Sequence, residues 1–318
     1  MTTALRTIVV ALGGNALQKQ GEASSAAQQK VADATVRQLL PLIKAGHRVA
    51  IVHGNGPQVG NIILHEEALN TQETPSLPLD DCGAMSQGLI GFWLQQAFHD
   101  AFQKEGMPHT YAASVVTQTV VSQADPAFQN PSKPIGPFYT EAEARQVEAE
   151  RGYTVKEDAG RGWRRVVPSP KPQEIVEAPV IRAMVAAGVV VISTGGGGVP
   201  VLRADDGSLQ GVEAVIDKDF GAATLAALLQ ADTLLILTAV DAAKINFNTP
   251  EEQSLARVSA EELQRHIDDG QFAAGSMLPK AQAALSFVQG GEGRTAIITS
   301  LERTADAIDG KAGTIIES

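Results

Sequence analysis

Five short apolar runs constrain this chain more than any other feature. They are TIVVAL (Thr7–Leu12), VAIVH (Val49–His53), VVVIST (Val189–Thr194), TLLILT (Thr233–Thr238) and TAIIT (Thr295–Thr299). Each is nearly continuous rather than alternating, the pattern of strands covered on both faces. Helical patterns lie around them at Ala26–Ala45, Gln87–Lys104, Glu174–Ala187, Asp219–Gln230 and Ala281–Val288. In the first, Val31, Leu39, Leu42 and Ile43 fall near one stripe. Gly46 and Gly188 follow two of these helices, where a C-terminal cap belongs. Strand alternating with helix predicts an open α/β/α sandwich around a mainly parallel sheet.

Size and charge narrow the function. The 318 residues suit two domains or one large α/β unit, and 44% hydrophobic residues suffice for a sizeable core. A net charge of −11 argues against a nucleic-acid binder but permits a locally built phosphate site. Cys82 is the one cysteine, no Cys/His cluster suggests a metal site, and no apolar run reaches membrane-spanning length. A cytoplasmic protein with no resident metal and no membrane partner is expected.

Residues 123–172 break the rhythm. This stretch is rich in proline, contains Tyr139, Tyr153 and Trp163, and carries Arg161, Arg164 and Arg165. It reads as an insertion with short elements of its own, a lid whose basic and aromatic content favours a binding role over a plain surface excursion. The polar stretch Leu202–Leu209 suggests a boundary between the two halves.

Three glycine-rich turns follow predicted strands: Gly13-Gly14-Asn15, Gly54-Asn55-Gly56 with Gly60, and Gly195-Gly196-Gly197-Gly198. In an open parallel sheet all three emerge at carboxyl ends of strands, where ligands bind. Any one alone is more often an ordinary tight turn; together they point to an anion site. Neither the Walker nor the dinucleotide glycine spacing is present. Lys133 is framed by prolines in the insertion, and Lys218 and Lys280 sit at the starts of helical patterns. A lysine there opposes the helix dipole, so a phosphate contact competes with the solvated-surface reading. Asp217 and Asp219 read as helix caps, or as carboxylates orienting lysines around a transferring phosphoryl group. His53 is more readily a packed histidine than a ligand, and Cys82 is more readily buried than reactive.

Nine ordered motifs resemble the carbamate kinases of the amino acid kinase superfamily, essentially from end to end. They are VVALGGNAL (Val9–Leu17), HGNGPQVG (His53–Gly60), SQGLIG (Ser86–Gly91), DPAFQNPSKPIGPFY (Asp125–Tyr139), RRVVPSPKP (Arg164–Pro172), GGGGVPV (Gly195–Val201), GVEAVIDKD (Gly211–Asp219), GSMLPK (Gly275–Lys280) and AGT (Ala312–Thr314).

The resemblance implies reversible transfer between ATP and carbamate, giving ADP and carbamoyl phosphate, with Mg2+ carried on the nucleotide. In arginine or allantoin-type catabolism such enzymes run towards ATP, and they are commonly homodimers. It also implies a carbamate half (residues 1–205, with a lid at about 123–172) and a nucleotide half (206–318). By motif, Gly13, Gly14 and Asn15 would line the phosphoryl group. Gly54 and Asn55, with the Gly195–Gly198 loop (Gly196 and Gly197 between), would hold carbamate through backbone N–H groups. Lys133 would reach in from the lid. Lys218 and Lys280 would neutralise phosphate charge, with Asp219 holding them. Ala239, Val240, Lys244, Ser276 and Met277 would contact the nucleotide. One departure stands out: many members carry Asp-Val-Asp and then an aromatic residue near the adenine, whereas here the first acid is Ala239 and Lys244 takes an aromatic-like position. The competing readings are a relative acting on another small acid and an idle regulatory paralogue; the intact lid block and the retained lysines argue against them.

Overall fold

The computed structural model describes residues 5–18, 22–158, 160 and 162–318. Arg161 and the side chain of Asn15 lie outside the described part.

The five apolar runs become strands of one eight-stranded sheet. Across it the order is Arg257–Ser259, Thr314–Glu317, Thr295–Ser300, Thr233–Thr238, Thr7–Leu12, Arg48–His53, Val190–Ile192 and Ala112–Ser114. The pairings are parallel except that Thr314–Glu317 runs antiparallel to Thr295–Ser300. Continuous apolarity has the expected cause: Ile8, Val9, Val10, Ala11 and Leu12 are all buried, alternate residues packing into clusters on opposite faces. Thr7–Leu12, the first strand in the chain, lies between the next main-sheet strand, Arg48–His53, and the much later Thr233–Thr238. Its carboxyl end is therefore a switch point, where loops on either side diverge and leave a crevice.

Several expected elements shift. The helix expected at Gln87 begins eight residues earlier and spans Leu79–Lys104. The one expected from Glu174 is Ala178–Ala186, because Pro172–Ile175 pairs with Gln118–Val121 as a strand. The last begins at Met277, so Lys280 lies inside its first turn. Gly46 and Gly188 have φ of 85° and 83°, the left-handed conformation of a helix C-terminus. The polar stretch after Leu202 is a hairpin turn, Ala204 N–H donating to the Ser208 carbonyl; its strands Val199–Arg203 and Leu209–Gly211 belong to a four-stranded sheet.

The insertion folds into a unit of its own. Lys133–Tyr139, Trp163–Val167 and Val155–Glu157 form a three-stranded antiparallel sheet, joined to the helix Glu141–Arg151. Two of its arginines are engaged in holding it together and in place. Arg164 lies over the Phe138 ring and donates to the Gly136 carbonyl at 3.0 Å. Arg165 lies 3.6 Å over Tyr153 and donates to Glu213 at 2.5 Å. Arg164 and Arg165 are thus engaged in holding the insertion in place, and among the described residues Lys133 is the cation of the insertion that lines the cleft. Among the described residues no helix is long and apolar enough to cross a membrane.

Candidate active site

The cleft starts from one carboxylate. Asp219 sits in the first turn of the helix Lys218–Leu228 and is 2% exposed. Lys218 Nζ donates to its Oδ1 at 2.5 Å, and Lys280 Nζ donates to its Oδ2 at 3.1 Å. Burial alone would raise the Asp219 pKa. The charges and hydrogen bonds of Lys218 and Lys280 outweigh it, holding the carboxyl below its ordinary 3.8. Two ammonium groups on separate helices are thus fixed side by side.

Asp217 caps the same helix, its Oδ1 accepting from the Asp219 N–H at 2.9 Å. Its Oδ2 accepts from Lys133 Nζ at 2.7 Å, reaching across to the lid. Asp217 is thus the cap, whereas Asp219, inside the first turn, is not; each carboxylate binds lysine.

Three cavities meet around these groups. The outermost, about 240 Å³ and largely apolar, is lined by Ala239, Val240, Lys244, Phe247, Phe272, Ser276 and Met277. All five residues expected to contact nucleotide lie on it, although Lys244 also pairs with Glu252 at 2.6 Å. A more polar cavity of about 360 Å³ is lined by Gly13, Gly14, Lys218, Thr238, Ala239, Lys280 and Glu302. The third, about 270 Å³, lies under the lid, with Gly54, Asn55, Lys133, Gly196, Asp217, Lys218, Asp219 and Lys280 on its walls. Lys280 borders all three.

The glycines divide into two kinds. Gly14 N–H makes no hydrogen bond among the described residues, whereas Gly13 and Gly54 donate to the carbonyls of Leu237 and Leu12. In the four-glycine turn, Gly197 and Gly198 donate to the carbonyls of Thr194 and Gly195. Those two are required by packing: at φ of 94° and 89°, a Cβ would lie 2.6 Å from the Ile216 carbonyl oxygen and 2.0 Å from Thr119 Oγ1. Gly196 reaches the cavity wall and makes no backbone donation among the described residues.

Asn55 precedes the helix Gly56–Ala68 but does not cap it with its side chain. Its Nδ2 donates to Ser86 Oγ at 2.8 Å, and that hydroxyl spends its own proton on the Gly83 carbonyl. The relay fixes the amide, leaving Asn55 Oδ1 as an unspent acceptor among the described residues. His53 is fully buried, and desolvation lowers its pKa to about 4, so the ring is neutral. Its Nδ1–H donates to the Gly54 carbonyl, and its ring packs where a Gly195 Cβ would fall, 2.4 Å away. Cys82 is buried, and burial with nearby Glu66, Asp81 and Asp80 raises its thiol to about 11. It is chemically quiet. Sequence reasoning missed the contributions of Phe247, Phe272, Thr238 and Glu302, which stand outside the glycine and lysine motifs.

The comparisons with known proteins agree on one group. The model of the amino acid kinase family matches residues 6–300. The chain is 52% identical to a carbamate kinase of Latilactobacillus sakei over 98% of both proteins, and 49% identical to one from Pyrococcus furiosus over 97% of this chain and 98% of that one. It superposes on a solved carbamate kinase from Giardia lamblia bound to AMP-PNP with a TM-score of 0.91, at 45% identity, covering 100% of this chain and 99% of the other.

The Asp219 cluster has a pH signature. Its folded pKa is depressed, so its stabilisation is complete above the unfolded value and is lost as pH falls through the folded one. Asp219→Asn should lower unfolding stability at neutral pH by about 3–5 kcal/mol, as expected for a buried pair deprived of its anion. In urea titrations the gap to the unaltered protein should then shrink as pH falls below 3.8.

Proposed function

The chain belongs to the amino acid kinase family and, within it, to the carbamate kinases, and we propose how its cleft carries out ATP-dependent phosphoryl transfer to and from carbamate. The observation that carries the assignment of roles is the position of Lys280. One cation borders the apolar outer cavity, the polar middle one and the space beneath the lid. A phosphoryl group moving between nucleotide and acyl acceptor passes that point.

The adenosine occupies the apolar cavity between Val240, Phe247 and Met277, the nucleotide phosphates lie beside Gly14, and the carbamoyl group sits beneath the lid near Asn55 and Gly196. In the ATP-forming direction a β-phosphate oxygen of ADP attacks phosphorus in line, and the bond to the carbamate oxygen breaks. Nucleophile and leaving group are both anions, so the step needs no general base. The requirement is positive charge on the transferring oxygens, supplied by Lys218 and Lys280 from one side and Lys133 from the lid. The Gly14 N–H, on the wall of the polar cavity, adds a donor. Asn55 Oδ1 accepts from the carbamate N–H, a contact that a simple carboxylate cannot return.

Mg2+ enters on the nucleotide. Among the described residues no group of three carboxylates, histidines or cysteines could cage a metal, and Asp217 and Asp219 are already committed to lysines. The ion's coordination then comes mainly from phosphate oxygens and water, and it neutralises β- and γ-phosphate charge when bound. Carbamoyl phosphate is a mixed anhydride, so a supply of it drives the reaction towards ATP, as degradation of arginine or allantoin would. We assign the reaction to the cytoplasm, where its nucleotide substrate is found.

The second copy of a homodimer docks on one apolar edge. Met85, Leu89 and Phe92 recur on one face of the helix Leu79–Lys104 and are exposed, Phe92 by 55%. The helix packs directly on the sheet's edge strand: a Cβ on Gly91 would meet Ser114 Oγ at 2.4 Å. Tyr111 and Val116, flanking that strand, are exposed as well. An apolar stripe beside an unpaired strand edge is an association surface. Phe92→Asp should convert the dimer to monomers in sedimentation velocity; an unchanged coefficient would place the contact elsewhere.

Function is tested by coupled detection of ATP from ADP and carbamoyl phosphate with Mg2+. Lys133→Ala should slow turnover by on the order of 100-fold or more while ADP affinity holds, because Lys133 belongs to the lid. Lys280→Ala should weaken both. Absence of ATP formation by the unaltered, folded protein contradicts the assignment, and equal loss of ADP affinity in both variants contradicts the placement of Lys133.

A further inference from the structure

We propose that Asp217 is a positioning residue that holds the lid lysine in the phosphoryl-transfer site before any anion arrives. The inference rests on the carbamate kinase reading for its chemistry, although the contact itself does not.

Capping the helix Lys218–Leu228 uses one oxygen, Oδ1, which accepts from the Asp219 N–H at 2.9 Å. Serine or asparagine would serve that purpose equally well. The second oxygen is spent differently: it takes Lys133 Nζ at 2.7 Å, from a residue 84 positions away on the lid sheet. Both side chains line the cavity beneath the lid and are largely shielded, 33% and 17% exposed. The charge of Asp217 therefore does work beyond the cap.

An ammonium has three N–H donors, and Lys133 commits one to Asp217. Two remain for ligand oxygens. Asp219 does the same for Lys218 and Lys280 from two residues further along the turn. Two carboxylates on one helix start thus place three lysines from three elements around one cavity. The set carries a net single positive charge, and the cations need not be assembled by the substrate itself. Preorganised charge of this kind favours the transition state over the bound ground state.

The remaining lid contacts do not set the lysine. Arg165 binds Glu213, Tyr153 binds Glu67 at 2.8 Å, and the Gly60 and Gly136 backbones touch; these dock the lid body. Only Asp217 fixes the reacting end of the Lys133 side chain among the described residues.

Asp217→Asn keeps a capping oxygen and removes the charge, so it separates the two jobs. The turnover number for ATP formation should fall on the order of 10- to 100-fold, while the Michaelis constant for ADP and the thermal midpoint stay near those of the unaltered protein. Asp217→Glu should recover much of the loss. In the Lys133→Ala background, Asp217→Asn should cost nothing further, since the two act as a unit. Hydrogen exchange of the ligand-free protein should quicken at 133–139 in Asp217→Asn. Unaltered turnover, multiplicative losses in the double variant, or a lowered thermal midpoint that accounts for the lost activity would each overturn the proposal. If the unaltered protein makes no ATP, the functional reading fails by itself; unchanged exchange at 133–139 would then separately overturn the positioning role.

Discussion

The buried carboxylate of Asp219 is the constraint on which the cleft depends. An ionised carboxylate with 2% exposure is tolerable only with close counter-charges, and Lys218 and Lys280 supply them. Their pairing in turn fixes how the helices Lys218–Leu228 and Met277–Gln289 approach each other. Because the lysines outnumber the carboxylate, the cluster is cationic, and it lies where the middle and inner cavities meet. A chain of net charge −11 can hold polyphosphate there, since short-range fields in a shielded crevice outweigh the total charge.

Backbone proximity is the second requirement. Gly221, one turn into the same helix, allows contact with the four-glycine turn: a Cβ there would sit 2.9 Å from Gly197 Cα. The turn packs against the ring of His53 and the amide of Asn55, which Ser86 holds in one orientation. The switch point beside Thr7–Leu12 brings these pieces together from distant parts of the chain. Gly195, Gly197, Gly198 and Gly221 thus serve close packing beneath the cleft, whereas the Gly14 and Gly196 N–H groups are left for a ligand.

The strands were legible because burial on both faces leaves a nearly continuous apolar run, as at Thr7–Leu12 and Thr233–Thr238. Lys218 and Lys280 were legible as lysines at helix starts, where the dipole disfavours them, and Lys133 as a lysine framed by prolines, whereas Asp219 could equally be read as an ordinary helix cap. Other features left no local trace. Helix Gly56–Ala68 was hidden by glycines and Pro57 at its start, which read as a loop although proline suits a first turn. The strand Pro172–Ile175 depends on a partner some fifty residues upstream, which periodicity does not detect. The same distance problem concealed Asp217 as the partner of Lys133. The surroundings of Arg165 were hidden for a related reason: an exposed cation and one stacked on Tyr153 have the same sequence.

The direct test of the central claim, one cleft organised by Asp219 from adenosine to carbamate, is a crystal structure with a non-hydrolysable ATP analogue. The account predicts the terminal phosphate within hydrogen-bonding distance of Lys218 Nζ, Lys280 Nζ and the Gly14 N–H, with both lysines still bound to Asp219 and the adenine against Val240 and Met277. A triphosphate lying away from Lys218 and Lys280, or lysine pairs broken from Asp219 to reach it, would contradict the account.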